Sequence, residues 1–205
     1  MATLTDQGRV CVARLTGETL KAAQGAMVAY EGNIDFKYSG TGGGQGFKAA
    51  LKQRLAGESI KLMDCTGTGT VYLAQDAKQT TVIDLNSDTI SVESDAILAV
   101  TDNLTLNVKF AGLQGLTTGQ GLATTIITGN GQVALLSNGP LIGLDVTPQT
   151  PVVVDPNAYI ASIGTMSMSL VTGITWKTFL GEGNGEPFSL RFEGTGTVFI
   201  QPTER

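Results

Sequence analysis

The 205-residue chain has no histidine and only two cysteines, and each scarcity removes a class of chemistry. Without imidazole there is no usual general base, no Ser-His or Cys-His nucleophile pair, and none of the commonest transition-metal ligand. Cys11 and Cys65 form neither a CxxC pair nor the dense pattern of a disulfide-stapled domain, so they read as buried free thiols. Charged residues make up 15% of the chain, below the usual quarter, and aromatics only 6%. A surface so poor in charge is expected to carry Thr, Ser, Asn and Gln or to be hidden by partners, which favours an oligomer. The net charge of −5 disfavours a surface that tracks nucleic-acid phosphates. No run is long and apolar enough to span a bilayer. The opening "MATLTDQGRV" lacks the basic region and apolar core of a secretory signal, so the chain reads as cytoplasmic.

What the chain does have is repetition. With 41% hydrophobic residues and 27 glycines it reads as a turn-rich all-β protein. The stretch Ile90 to Val108 lies over Val152 to Leu170, and over Leu20 to Tyr38, without a gap. Ala26, Ala96 and Ala158 fall in one column and Ala29, Ala99 and Ala161 in another, with Val28, Leu98 and Ile160 between them. Next come Gly32-Asn33, Asp102-Asn103 and Gly164-Thr165, dipeptides that supply positive φ in two-residue hairpin turns. Beyond them a period of two continues through Ile34, Phe36 and Tyr38, through Leu104, Leu106 and Val108, and through Met166, Met168 and Leu170. The pattern predicts three β-hairpins, each with one buried face. An internal period of about 65 residues then implies one compact domain of coupled units, since one repeat cannot bury its own apolar face. The boundaries expected are 1–56, 57–118 and 119–182, with closing strands over 183–205.

A second element recurs as "GTGTVYL", "GNGQVAL" and "GTGTVFI", beginning at Gly67, Gly129 and Gly194. A phosphate-binding turn needs such glycines to open a helix, whereas β-branched and aromatic residues follow here, so a tight turn or bulge between strands is expected. Another glycine cluster, Gly40 to Gly46, leads into a stretch of helical spacing with Phe47, Leu51 and Leu55 on one face and Lys48 and Lys52 beside them. It lacks the Gly-Lys-Ser/Thr ending of a nucleotide loop and reads as a connection into one short amphipathic helix. Carboxylates scatter along turns and strand edges. Asp84 and Asp145 hold similar places in successive repeats, one register step apart, and read as turn residues rather than an acid-base pair. Trp176, the only tryptophan, stands near Phe179 and reads as a core or subunit-interface residue.

Several stretches in order, "GAMVAYEGNIDF", "KAALKQRLAGESI", "GTGTVYLA", "VVVDPNAYIA" and "GEPFSLRFEGTGTVFIQ", resemble the bacterial branch of the family named for altered inheritance of mitochondria, number 24. The resemblance spans nearly the whole chain. It departs at Phe199, where the family often has Trp, and in "GNGEPFSL", which is looser than the family's form. It implies a fold like the tryptophan RNA-binding attenuation protein, with three β-sandwich-like units about a pseudo-threefold axis and subunits that assemble as trimers. For the mitochondrial relatives it implies a role in inner-membrane organisation. It brings no catalytic residue, metal or cofactor.

The reading that follows is a non-enzymatic homo-oligomeric scaffold, a trimer by resemblance, that meets a protein partner. Its expected interaction surface comprises Trp176, Phe179, Phe47, Lys48 and Lys52. A binding module for a small ligand held between repeats or subunits is the alternative. RNA binding is disfavoured because the columns Lys37/Asn107/Ser169 and Asp35/Thr105/Ser167 carry no repeated cation. Peripheral membrane contact would rest on the short basic stretch Phe47 to Leu55.

Overall fold

A computed structural model describes residues 1–38, 61–110, 123–171 and 189–203. As expected, the described residues are all-β, their only helical turn being the 3-10 turn Ser94–Ala96. The short helix read after Gly46, and the residues Phe47, Lys48, Lys52, Trp176 and Phe179, lie outside the described residues. The chain divides into two compact units, Met1–Ser137 and Asn138–Arg205.

The first unit holds β1 (Thr3–Asp6), β2 (Cys11–Ala23), β3 (Met27–Tyr38), β4 (Leu62–Leu73), β5 (Gln79–Glu93), β6 (Ile97–Thr101), β7 (Leu104–Phe110) and β8 (Ala123–Ser137). Its strands run β5-β8-β6-β2-β4-β3, with β1 paired to β2 and β7 paired to β8. The second unit holds β9 (Ile142–Val146), β10 (Val152–Val154), β11 (Tyr159–Val171) and β12 (Ser189–Ile200). There β12 pairs β11 along its length, and pairs β9 and β10 in succession.

One antiparallel scheme thus occurs three times, with the third strand between the first two: β2-β4-β3, β5-β8-β6/β7, and β9/β10-β12-β11. These hydrogen bonds group β4 with β2 and β3, and β8 with β5 to β7, so the strands are shared out differently from the boundaries 56, 118 and 182.

The expected hairpins at Gly32-Asn33, Asp102-Asn103 and Gly164-Thr165 do not form. β3 and β11 run straight through these dipeptides, and β6 and β7 pair in succession with the same strand, β8. Nor do the Gly-x-Gly segments turn, since each lies inside the continuous strand β4, β8 or β12. The two glycine signals face one another: Gly32 pairs Gly69 and Asn33 pairs Thr68, as Gly164 pairs Gly196 and Thr165 pairs Thr195. Gly32 and Gly69 have φ of +92° and +153°, and a Cβ on Gly69 would run into the Glu31 carbonyl oxygen. Positive φ on both strands lets a tightly packed pair bend together without breaking the ladder. The first strands are disrupted at the same level, by a bulge at Gly17-Glu18 opposite Gly67 and another at Ser87. Asp84 and Asp145 are likewise strand residues, opposite Gln132 and Thr197, which occupy the same step beyond their Gly-x-Gly segments.

The first unit is filled by aliphatic side chains, among them Leu15, Leu20, Leu73, Leu98 and Leu135, with the free thiols Cys11 and Cys65 buried beside them. Fully burying each such leucine is worth roughly 1.5–3 kcal/mol. The second unit is anchored by two aromatics, Tyr159 and Phe192, stacked at 5.4 Å.

Candidate interaction surface

The repeated registers put equivalent residues of β3, β6 and β11 in one frame. In each strand one residue is an extra, bulged residue between two paired neighbours: Val28 between Met27 and Ala29, Leu98 between Ile97 and Ala99, and Ile160 between Tyr159 and Ala161. Leu98 and Ile160 are fully buried, whereas Val28 is 59% exposed. Two residues on, Val100 is 0% exposed and Tyr30 is 49% exposed. The chemistry of the column is the same, so the difference lies in what covers it.

For β6 the cover is visible. Its free edge is taken by the far half of β2, with Leu20 opposite Thr101, Lys21 opposite Val100 and Ala22 opposite Ala99. The level is pinned by Gln132, whose backbone amide donates to Thr101 Oγ1 at 3.0 Å, while its side chain accepts from the Leu4 amide at 2.7 Å and donates to Asp84 at 2.8 Å. β3 pairs with β4 and ends the strand order of its unit. Its outer edge carries Val28 and Tyr30, the Tyr30 ring standing edge-on to Phe36 at 5.2 Å. The Glu31 carboxylate on the same strand accepts from Tyr72 Oη at 3.3 Å.

Beyond the bend the apolar columns are buried only at their start. Ile34 and Leu104 are buried and Phe36, Leu106, Met166 and Met168 half-buried, while Tyr38 and Leu170 are exposed. The single buried face expected for these segments therefore fades along the strand. On β10, which pairs with β12, Val153 is 53% exposed between the half-buried Val152 and the buried Val154.

Among the described residues, two thiols and one carboxyl depart clearly from their ordinary titration. Burial, with the Asp6 charge nearby, pushes the Cys11 thiol up to about 12. Burial, with Asp64 beside it, pushes Cys65 up to about 11, so neither is a thiolate at neutral pH. The N-terminal ammonium and the Thr16 amide together hold the exposed Glu18 carboxyl down at about 2. Among the described residues no three Cys, Asp or Glu side chains gather as metal ligands. Among them, too, no helix is long and apolar enough to cross a membrane. The Lys37, Asn107 and Ser169 column is solvent-facing, and the sequence supplies a cation at only the first of the three.

The surface expected from sequence at Phe47, Lys48, Lys52, Trp176 and Phe179 falls outside the described residues, and what emerges instead is the edge of β3. The signal was present only as a column of three apolar residues, which says that cover is needed but not where it is missing.

The family described as mitochondrial biogenesis AIM24 matches over residues 3–203. No curated protein matches the sequence. A crystal structure of a Streptococcus pyogenes protein is similar with a TM-score of 0.77 at 18% identity, over 100% of this chain and 94% of that one. At that identity the likeness is one of fold.

Proposed function

Because the chain belongs to the AIM24 family of mitochondrial biogenesis proteins, we propose that it acts as a non-enzymatic, homo-oligomeric β scaffold. The observation that carries this reading is β3, whose Val28 and Tyr30 lie open in a column that is sealed in the next repeat. An edge strand that leaves apolar residues such as Val28 and Tyr30 open is a template for further pairing, which natural proteins manage by covering or blunting it. In this reading the three repeats stand about a pseudo-threefold axis, the subunits assemble as trimers, and the repeated outer surface meets a protein partner. The buried, protonated thiols and the missing histidine support a role without catalysis.

Light scattering of the purified protein over a wide concentration range tests this. The expected mass is three times the 21.3 kDa of one chain, and a mass of 21.3 kDa at every concentration would sink the reading. Turnover of a small molecule by the purified protein would sink its non-enzymatic part.

A further inference from the structure

Resting on the oligomeric reading above, we propose that subunits join head to tail, β3 of one copy adding antiparallel to β10 of a second copy. The pairing of β2 with β6 supplies the template. Relative to the second glycine of each Gly-x-Gly segment, Leu20, Lys21 and Ala22 sit opposite Cys65, Asp64 and Met63 of β4. Val152, Val153 and Val154 sit opposite Phe192, Arg191 and Leu190 of β12, at the same three steps before Gly196. β10 is thus the positional equivalent of the part of β2 that covers β6.

The receiving strand corresponds in the same way. Tyr30 pairs Val71, two steps past Gly69, as Val100 pairs Val133, two steps past Gly131. Transferring the β2–β6 register gives Val154 opposite Ala29, Val153 opposite Tyr30 and Val152 opposite Glu31. In that register the exposed side chains meet, since Val153 at 53% falls opposite Tyr30 at 49%, next to the bulged Val28. Cross-strand pairs of an aromatic with a β-branched residue are favourable, and the pairing satisfies main-chain groups on both edges. Such an interface is heterologous, using different strands on the two subunits, so a finite assembly requires ring closure. Three copies joined this way end with β10 of the first meeting β3 of the third, which leaves neither strand as a free edge.

The experiment uses Tyr30→Cys, Val153→Cys and the double variant in the full chain, treated with a short thiol-specific cross-linker. Both sites are exposed, so the fold is expected to survive, and the buried native thiols stay out of the reaction. The double variant is expected to give a covalent ladder on a denaturing gel, and a mixture of the two single variants a covalent dimer. Each single variant alone should stay unlinked. An assembly seen by light scattering that gives no ladder would overturn the strand pairing while leaving the scaffold reading intact. Linking of Tyr30→Cys alone would place β3 against β3 and overturn it too, as would a double variant linked wholly within one chain. A protein that is monomeric at all concentrations overturns both.

Discussion

β3 and β6 occupy the same place in successive repeats and carry the same bulge, yet their surroundings differ completely. β6 is enclosed by β2 and β8, and every residue from Ile97 to Thr101 is buried. Among the described residues β3 pairs with β4 alone, and Met27 to Gly32 are open or half-open. Local sequence made both strands; only a long-range neighbour made one of them core. The lesson is that a repeat protein leaves the terminal copy of each interface unsatisfied unless it is capped, closed or shared with another chain.

The comparison breaks most sharply at the bulge residue. Leu98→Ala is expected to cost about 2–5 kcal/mol because a fully buried leucine leaves a cavity, whereas Val28→Ala should shift the stability of an isolated subunit by less than about 0.5 kcal/mol. Chemical denaturation of both variants at low concentration gives the two values. Equal losses would mean that Val28 is already covered within the subunit. Val28→Asp should instead leave the subunit folded and lower the mass seen by light scattering to that of one chain.

The close glycine-to-glycine pairing of β3 with β4 is the next most sensitive point. Gly69→Ala places a methyl against the Glu31 carbonyl with φ in the left-handed half of the map, and a loss of about 2 kcal/mol or more is expected in thermal unfolding. A neutral outcome would show that β3 can move off β4 freely, which would weaken any role for its edge as a fixed template.

Thiol chemistry sharpens the contrast further. Cys11 and Cys65 should resist alkylation at pH 8 until the protein unfolds, because burial keeps them protonated. Val28→Cys should react quickly in dilute protein and slowly in concentrated protein. Their raised pKa values also mean that the thiols stabilise the fold below their ordinary value of 9.0, and that this contribution fades as the pH climbs above it. The smallest effect is at Glu18. Its carboxyl is held below its ordinary 4.5, so the stability it adds is present above that pH and is lost as the pH falls toward 2. Glu18→Gln should flatten that part of the acid-unfolding curve.

Much of this was legible in the sequence. The columns running from Met27, Ile97 and Tyr159 to Ile34, Leu104 and Met166 hold the same steps against the third strands β4, β8 and β12. The hairpins were misread because Gly32-Asn33 supplies positive φ equally to a reversal or to a bend within a strand. The deciding clue was non-local: Gly67-Thr68-Gly69 lies directly opposite, so the chain bends against glycine rather than turning back on itself. The open edge was not legible at all. Val28, Leu98 and Ile160 are equally apolar, and exposure depends on which strand β2 chooses to cover, a decision made by residues far apart in the chain.

The claim at the centre of this account is that a second copy completes the edge of β3. Amide hydrogen exchange, read over residues 27–31 and 97–101 at several protein concentrations, tests it most directly. Protection of 27–31 is expected to be low in dilute protein and to rise with concentration toward that of 97–101, which should stay protected throughout. Rapid exchange of 27–31 that does not change with concentration would contradict the claim.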